Sequence, residues 1–338
     1  MGHQMQGKFS NEIMPSGMVE IGLNAAIASM SSDQPLILIV RPEDTANDDW
    51  DALPFGPFAP RTHRTLEIGL RAWVREQSGI NLGYVEQLYT FGDRGRHAQP
   101  DDASPHVVSI GYLALTRRKK DELKHGGAWQ GWYKYFPWED WRDGRPEIID
   151  QIIMPRLDEW AARPQSSESR AAPFSAPERL RICFGDGKMG WDEEKVLERY
   201  ELLYESGLLL ESKRDNRVSA DQWPNLPDLG RPMHHDHRRI VATAIGRLRA
   251  KIKYRPVIFE LLDEKFTLYE MQKTVEGIMG AHLHKQNFRR LVENAGLVEQ
   301  TGEVRTHTGG RPAKLFHFRR EAILERPAPG VRISPSSH

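Results

Sequence analysis

The sequence predicts an α+β protein built from two domains. Its 338 residues, 39% of them hydrophobic, are enough for two folded cores. Strand and helix patterns alternate between residues 35 and 116, whereas residues 254–320 show helix patterns followed by a hairpin. A segment rich in serine and proline, 163–178, lies between these parts and has the composition of a linker or long loop.

The elements of the first part follow from their hydrophobic patterns. An apolar run bounded by prolines predicts a buried strand at 35–42, and runs at 85–91 and 106–116 predict two more strands. Apolar residues at helical spacing before a glycine predict a helix over 65–79. This order of strand, helix, strand and strand indicates a mixed domain.

Shorter signals predict the remaining elements. Residues 18–30 have the pattern of a short amphipathic helix that packs on the body of the protein or on a partner subunit. We expect a helix over 147–162, a strand over 180–184, and a helix over 192–206 with Asp192 as its N-cap.

The most informative pattern lies near the end of the chain. Residues 284–292 predict an amphipathic helix with donor side chains that suit phosphates and base edges in the DNA major groove. Residues 308–314 lie between two apolar runs and have the glycines and proline of a hairpin loop. We interpret them as the recognition helix and wing of a winged helix-turn-helix. The candidate DNA contacts are Lys285, Gln286, Asn287, Arg289, Arg290, Thr308, Arg311 and Lys314.

The charge distribution supports this interpretation. The chain is neutral overall, with 47 basic and 47 acidic residues, but residues 235–320 hold 17 Lys and Arg against 9 Asp and Glu. This asymmetry indicates a nucleic-acid-binding module, although solvated helix faces would give the same count. A long basic helix at 236–253 is suited to pack between domains or across a dimer axis. Its Lys251 and Lys253 are further candidates for phosphate contacts.

Composition also indicates the cellular compartment of the protein. The single cysteine, Cys183, cannot form an internal disulfide, and its apolar neighbours indicate a buried structural thiol. The sequence has no apolar stretch near the ~18 residues that span a bilayer, and its first residues lack the pattern of a secretory signal. We therefore expect a cytoplasmic protein with no membrane partner.

Two separated regions resemble one family. The motif Leu-Pro-Phe-Gly at 53–56, the helix ending Arg-Glu-Gln-Ser-Gly-Ile at 75–80 and the strands at 84–93 and 108–115 are similar to a Nudix domain of the regulator type. Residues 236–254, Phe-Thr-Leu at 266–268, Asn-Phe-Arg-Arg at 287–290 and Gly-Arg-Pro-Ala at 310–313 are similar to the linker helix and winged helix-turn-helix that follow it. The chain resembles the Nudix-related transcriptional regulators of NAD metabolism (NrtR type), and within them the longer alphaproteobacterial branch (NadQ type).

The resemblance implies an N-terminal Nudix-like α/β/α sandwich, a linker helix and a C-terminal winged helix-turn-helix. Residues 116–233 match the shorter members of the family poorly. The implied division is an N-terminal extension at 1–34, a Nudix-like domain with an insertion at 35–233, the linker helix at 234–253, the winged helix-turn-helix at 254–320 and a tail at 321–338.

The resemblance also implies a repressor of NAD metabolism genes that binds a palindromic operator as a homodimer. One recognition helix covers half a site, so two-fold symmetry in the protein matches two-fold symmetry in the DNA. The implied effector is an adenine nucleotide, namely ADP-ribose, ATP or NAD, and no cofactor is required. The expected effector site contains Gly56, Arg64, Glu67, Glu76, Phe91, Arg94 and Tyr112.

A hydrolytic Nudix box carries glutamates along one helix face, where they hold the divalent metals that activate water. Counted back from Gly79, the paired glutamates fall on Glu76 and Gln77, and the Arg-Glu pair falls on Ala72 and Trp73. Only one carboxylate remains, so we expect ligand sensing without a bound metal or catalysis. The alternative is an active nucleoside-diphosphate (ADP-ribose) hydrolase with an accessory nucleic-acid-binding domain.

Three other groups have both a structural and a functional interpretation, and we favour the structural one in each. Glu201 and Glu205 share a helix face before a glycine, which suits either a second acidic box or the edge of a surface helix. Three histidines surround Asp236, which suits either a metal site or a helix N-cap. Seven aromatic residues between 129 and 141 suit either a core or a stacking surface for adenine.

Overall fold

The computed structural model describes residues 19–41, 50–93, 106–118, 123, 126–163, 173–185, 190–306 and 312–325. The strands are β1 Val19–Ser31, β2 Gln34–Ile39, β3 Phe55–Pro57, β4 Tyr84–Phe91, β5 His106–Leu115, β6 Ala128–Gly131, β7 Val298–Arg305 and β8 Ala313–Phe318. The α-helices are α1 Leu66–Ser78, α2 Met154–Ala162, α3 Ala176–Phe184, α4 Val196–Glu205, α5 Leu210–Arg214, α6 His237–Tyr254, α7 Leu268–Met279, α8 Lys285–Ala295 and α9 Ala322–Glu325. Shorter helical turns lie at Trp132–Lys134, Pro137–Glu139, Ile149–Ile153, Val218–Gln222 and Pro256–Glu260.

A mixed six-stranded sheet forms the centre of the first domain. Its strand order is β4-β5-β1-β2-β6, and β3 also pairs with β1. Strand β1 runs parallel to β5 from the pair Val19 and His106 to the pair Ala28 and Leu115. Strands β2 and β3 pair with β1 in the antiparallel direction. Strand β1 therefore organises the whole sheet.

The two faces of the sheet are covered by different helices. Leu23, Ala25 and Ile27 of β1 pack with Leu70 and Val74 of helix α1. Alternate residues of β1 point the other way, into the large core that contains helix α6. This arrangement is the predicted α/β/α sandwich.

The prediction of an amphipathic helix over 18–30 is wrong, because residues 19–30 lie in strand β1. The run Asn-Ala-Ala-Ile-Ala has good helix formers, but its side chains are buried on both faces of the sheet. A strand that is buried on both faces has a continuous apolar pattern, which periodicity alone does not separate from a helix. The first described residues are thus part of the sandwich rather than an extension of it.

Two smaller predictions are also corrected. Residues 180–184 lie in helix α3 rather than in a strand, because Ser175 and Glu178 form a capping box that starts a helix. Helix α4 begins at Val196, so Asp192 is not its N-cap. The Asp192 carboxylate instead accepts a hydrogen bond from the backbone N–H of Glu194 in the preceding turn.

The aromatic residues between 129 and 141 lie mainly in the core. Trp132, Tyr135, Phe136 and Trp138 are at most 2% exposed, so the structural interpretation of this cluster is confirmed and adenine stacking on these four rings is not possible. Cys183 is buried as predicted, and burial raises the pKa of its thiol to about 11. In the part of the chain that the structure describes, no helix is long and apolar enough to cross a membrane.

The C-terminal region has the predicted helix-turn-helix and hairpin. Thr267 caps helix α7 with a capping box to Glu270, and Gly280 ends it in the left-handed conformation. Helix α8 follows after a short turn, and β7 and β8 then form the antiparallel hairpin. Phe266 forms a bridge with Phe316 of β8, which joins the start of the helices to the hairpin.

Candidate functional site

Helix α1 is the predicted box helix. The Thr65 hydroxyl caps it by accepting from the Ile68 N–H, and Gly79 ends it in the left-handed conformation with its N–H on the Arg75 carbonyl. Helix α1 therefore begins and ends where the sequence predicts.

Two box positions carry side chains that hold strand β3 instead of carboxylates. The Gln77 amide donates to the Phe55 carbonyl at 2.7 Å and accepts from the Phe55 N–H at 3.0 Å. Trp73 donates to the Pro57 carbonyl at 3.0 Å. A Cβ at Gly56 would lie 2.3 Å from the Trp73 ring, so only glycine fits there.

The remaining charged residues of the α1 face lie near its first turn and at its end. Glu67 forms an exposed ion pair with Arg71 at 2.8 Å, while Arg64 and Glu76 are exposed. No group of three or more His, Cys, Asp or Glu that could hold a metal ion occurs in the described ranges.

The structure divides the predicted effector residues between the two faces of the sheet. Tyr112 packs with the α1 face, where burial and then the charge of Glu67 raise the pKa of its phenol. Phe91 lies on the opposite face, under the guanidinium of Arg239 at 4.7 Å from the ring centroid. Phe91 therefore does not share a pocket with Tyr112, because alternate strand residues point to opposite faces. Arg94 lies outside the described residues.

The second acidic group is neutralised by arginines. Glu205 forms an ion pair with Arg179, and Glu201 forms one with Arg239 at 2.6 Å. The structural interpretation of this helix edge is therefore confirmed.

The three histidines around Asp236 do not form a metal cluster. His237 is fully buried, its Nδ1 accepts from the Leu53 N–H at 3.0 Å, and its Nε2 lies 2.9 Å from the Asn24 side-chain oxygen. Because Nδ1 accepts, the neutral ring carries its proton on Nε2 and donates to Asn24. Asp236 precedes the helix as expected, although its side chain makes no capping hydrogen bond. Sequence reasoning missed the role of His237, since its partners lie far away in the sequence.

Helix α8 presents the predicted recognition face. It buries Phe288 and Val292 and exposes Lys285, Gln286, Asn287, Arg289 and Arg290. Arg290 donates to the Asn287 side chain at 3.0 Å. In the described part of the chain Arg289 has neither a hydrogen-bond nor an ion-pair partner, and this includes Glu293, four residues further along the same helix.

A buried carboxylate holds the turn between α7 and α8. Glu276 accepts from the Leu283 N–H at 3.0 Å and from the side chains of Gln272, Lys273 and His282. Burial alone would raise the pKa of Glu276, but the hydrogen bonds from Leu283, Lys273, Gln272 and His282 hold the pKa below its usual value. The buried charge therefore fixes the position of α8 against α7.

The wing is described only in part. Lys314 is exposed on β8, whereas Thr308 and Arg311 lie outside the described residues. Arg305 on β7 forms an ion pair with Glu270 at the start of α7, which ties the hairpin to the helices.

Lys253, a candidate phosphate contact, is ion-paired within the protein. Its ammonium group lies 2.6 Å from both Glu193 and Glu194, and Lys251 is paired with Glu86. Other basic residues of α6 are paired in the same way with acids outside 235–320: Arg238 with Glu211, Arg239 with Glu201 and Asp93, and Arg249 with Glu139. Much of the basic excess of 235–320 therefore balances acids of the first domain.

A cavity of about 650 Å³ lies between the first domain and the winged helix domain. Its walls include Tyr84 and Arg117 from the first domain and Phe259, Phe266 and Phe318 from the second. None of the predicted effector residues that the structure describes lines it, so this cavity is separate from the α1 face.

The chain is similar to proteins of one family in sequence and in fold. The family model of the NrtR DNA-binding winged helix domain matches residues 258–318. The ADPR responsive transcriptional repressor NtrR of Acinetobacter baylyi is 37% identical over 83 residues, which are 25% of this chain and 33% of the relative. The match thus spans about a third of that relative.

Two solved structures share the fold. The crystal structure of Shewanella oneidensis NrtR with a 27mer DNA has a TM-score of 0.52 at 19% identity and covers 89% of this chain and 94% of its own. A MutT/nudix family protein from Enterococcus faecalis has a TM-score of 0.50 at 15% identity and covers 91% of this chain and 89% of its own. Residues 258–318 therefore match the NrtR winged helix domain, and the fold as a whole is similar to that of Shewanella oneidensis NrtR and of the MutT/nudix family protein.

Proposed function

We propose that the protein is a transcriptional repressor that binds DNA through helix α8 and the wing and senses an adenine nucleotide with its Nudix-like domain. The observation that carries the proposal is the exposed donor face of α8 within residues matched by the NrtR winged helix model. Arginine, lysine, asparagine and glutamine are the residue types that contact base edges and phosphates.

The proposed ligand is ADP-ribose, with ATP and NAD as alternatives. The name of the Acinetobacter baylyi relative supports this choice, because that protein is an ADPR responsive repressor. In this chain the candidate face lies around α1 and contains Gly56, Arg64, Glu67, Glu76 and Tyr112.

We further propose that this domain does not hydrolyse its ligand. A Nudix box needs several carboxylates to hold metal ions beside a diphosphate. At two of these positions the chain has Gln77 and Trp73, which are engaged with the backbone of β3. Their side chains cannot supply the missing negative charge.

The proposal includes a homodimer on a palindromic operator of NAD metabolism genes. Two copies of α8 related by a two-fold axis would read two half-sites. The NadQ-type branch and the cytoplasmic location stay predictions.

Selection of duplexes from a random pool, followed by fluorescence anisotropy with the selected duplex, tests the proposed function. We expect a two-fold symmetric consensus and an affinity that changes when ADP-ribose is added. ATP and NAD added in parallel separate the three ligands. Absence of a consensus, or an affinity that none of these ligands changes, would overturn the proposal.

The alternative of an active hydrolase has its own test. Incubation of the protein with Mg²⁺ and ADP-ribose should leave the ligand intact. Release of AMP at a rate of about 1 per second or faster, within the usual range of enzymes, would favour the hydrolase.

A further inference from the structure

We propose that Gln77 is a positioning residue that couples the ligand face of α1 to the DNA-binding helices through Phe55 and the buried His237. The inference rests on the function proposed above and specifies how a ligand at this face changes DNA binding. It is carried by a continuous series of hydrogen bonds and ring contacts from α1 to α8.

The first link joins α1 to β3. The side-chain amide of Gln77 both donates to and accepts from the backbone of Phe55, at 2.7 and 3.0 Å. A neutral amide can do both, whereas an ionised carboxylate only accepts. Glutamate at this position would therefore place its negative charge against the Phe55 carbonyl oxygen. Because Gly56 follows Phe55 and packs against Trp73 of α1, a ligand that displaces α1 acts on the strand that Gln77 holds.

The second link joins β3 to the linker helix α6. The Phe55 ring lies 5.1 Å from the ring of His237 and 5.2 Å from that of His235. The Leu53 N–H donates to His237 Nδ1 at 3.0 Å, and His237 is the first residue of α6. A fully buried ring with both nitrogens engaged cannot turn without breaking these bonds, so a shift of β3 is passed to α6.

The third link joins α6 to the DNA-binding helices. Near the other end of α6, Arg249 donates to the carbonyl of Ile278 in α7 at 2.8 Å. Glu276, two residues earlier in α7, accepts from the Leu283 N–H in the turn before α8. Helices α6, α7 and α8 are thus connected by buried polar contacts, and a displacement of α6 changes where α8 lies.

Coupling of this kind requires a ligand that binds the DNA-binding arrangement of the protein and the arrangement that does not bind DNA with different affinities. The proposed route from Gln77 to α8 must be tested by measuring a coupling energy. The test compares Gln77→Glu with a matched control, Asn81→Asp. Both changes convert an amide to a carboxylate near the end of α1. Asn81 is exposed, and the hydrogen bond that it accepts from Arg75 survives the change.

The measured quantity is the ratio of DNA affinities with and without saturating ADP-ribose, obtained by anisotropy on the full chain with the selected duplex. In the wild type we expect a ratio of about 5 to 150. In Gln77→Glu we expect it to fall to about twofold or less, while ADP-ribose affinity and ligand-free DNA affinity change little. Asn81→Asp should keep the wild-type ratio.

A second variant, Phe55→Leu, keeps the backbone hydrogen bonds to Gln77 but removes the ring contacts with His235 and His237. Phe55→Leu should also reduce the ratio of DNA affinities. In the double variant of Gln77→Glu and Phe55→Leu, this ratio should fall no further than in Gln77→Glu alone, because both residues act in one series. If Gln77→Glu does not fold, the ratio measured for Phe55→Leu alone tests the inference.

A wild-type ratio retained in the folded variants overturns the inference. A fall in ligand-free DNA affinity with an unchanged ratio shows a merely structural role and also overturns it. A wild type that does not bind DNA or does not respond to ADP-ribose instead overturns the proposed function, and this inference with it.

Discussion

Arg249 of the linker helix donates to Glu139 at 2.7 Å, and neither side chain is exposed to solvent. Glu139 also accepts from Arg199 at 2.6 Å, so one buried carboxylate lies between two buried guanidinium groups. The three residues come from the turn Pro137–Glu139, α4 and α6, and Arg249 extends the network to α7. The segment 116–233 therefore supplies buried ionic partners for the linker helix α6, which in turn contacts α7.

Replacing Glu139 by glutamine should destabilise the fold strongly. The change preserves shape but leaves two buried guanidinium groups without an anion, which costs about 3–5 kcal/mol. Urea denaturation of the full chain measures this free energy of unfolding. The exposed Asp150, which pairs with Arg145, provides the control, and Asp150→Asn should cost less than about 1 kcal/mol. Similar losses in both variants would contradict the buried network.

Acid should destabilise the protein through the two buried glutamates. Burial would raise the pKa of Glu139, but Arg199 and Arg249 lower it, and the pKa of Glu276 is also lowered. Because the folded pKa lies below the unfolded value near 4.5 in both cases, their stabilisation is complete above that pH and is lost as the pH falls below it.

Thermal melting between about pH 6 and pH 3 measures this loss. Glu276→Gln should melt at a lower temperature at neutral pH and should lose less stability on acidification than the wild type. Glu198→Gln, at an exposed position, should keep the wild-type profile. A Glu276→Gln profile parallel to the wild type would show that Glu276 is not charged in the fold.

The parts of the fold that the sequence predicted are those with local signals. Thr65 and Gly79 mark the ends of α1, Thr267 and Gly280 mark those of α7, and the structure has these caps. Strand β1 was missed because burial on both faces removes the alternation that identifies a strand.

The candidate site was predicted less completely, since its contacts join distant residues. The exposure of the α8 donors follows from helical periodicity around Phe288 and Val292. The pairing of Lys253 with Glu193 and Glu194 has no local signal, so charge counting alone overestimated the basic surface. Likewise, periodicity does not show that Phe91 and Tyr112 face opposite sides of the sheet.

Restoring one carboxylate should not create a hydrolase. Gln77→Glu leaves Trp73 against Gly56, so the box still lacks a second carboxylate at that position. Release of AMP from ADP-ribose with Mg²⁺ should stay at the level of a blank for both the wild type and the variant. The control variant Asn81→Asp should give the same blank value. Activity gained in Gln77→Glu alone would show that a single charge separates sensing from catalysis.

Within the C-terminal domain, different residues should contact the bases and the phosphates of DNA. If Arg289 contacts a base edge, Arg289→Ala should cost about 1–3 kcal/mol and relax the preference at one symmetric pair of operator positions. Lys314 is exposed on β8 and is proposed to contact a phosphate. Lys314→Ala should weaken selected and random DNA equally, and it should reduce the slope of log affinity against log salt by about one unit per subunit.

Lys213 provides the control for charge, because it is an exposed lysine outside the DNA-binding domain. Lys213→Ala should leave both the salt slope and the sequence preference unchanged. Competition anisotropy with selected and scrambled duplexes, measured between about 50 and 200 mM salt, gives both quantities. Since Arg289 has no partner among the described residues, its loss breaks no ion pair within the described fold, and a change in preference reports DNA contact directly. An Arg289→Ala variant that discriminates between the two duplexes as well as the wild type would remove α8 from the role of recognition helix.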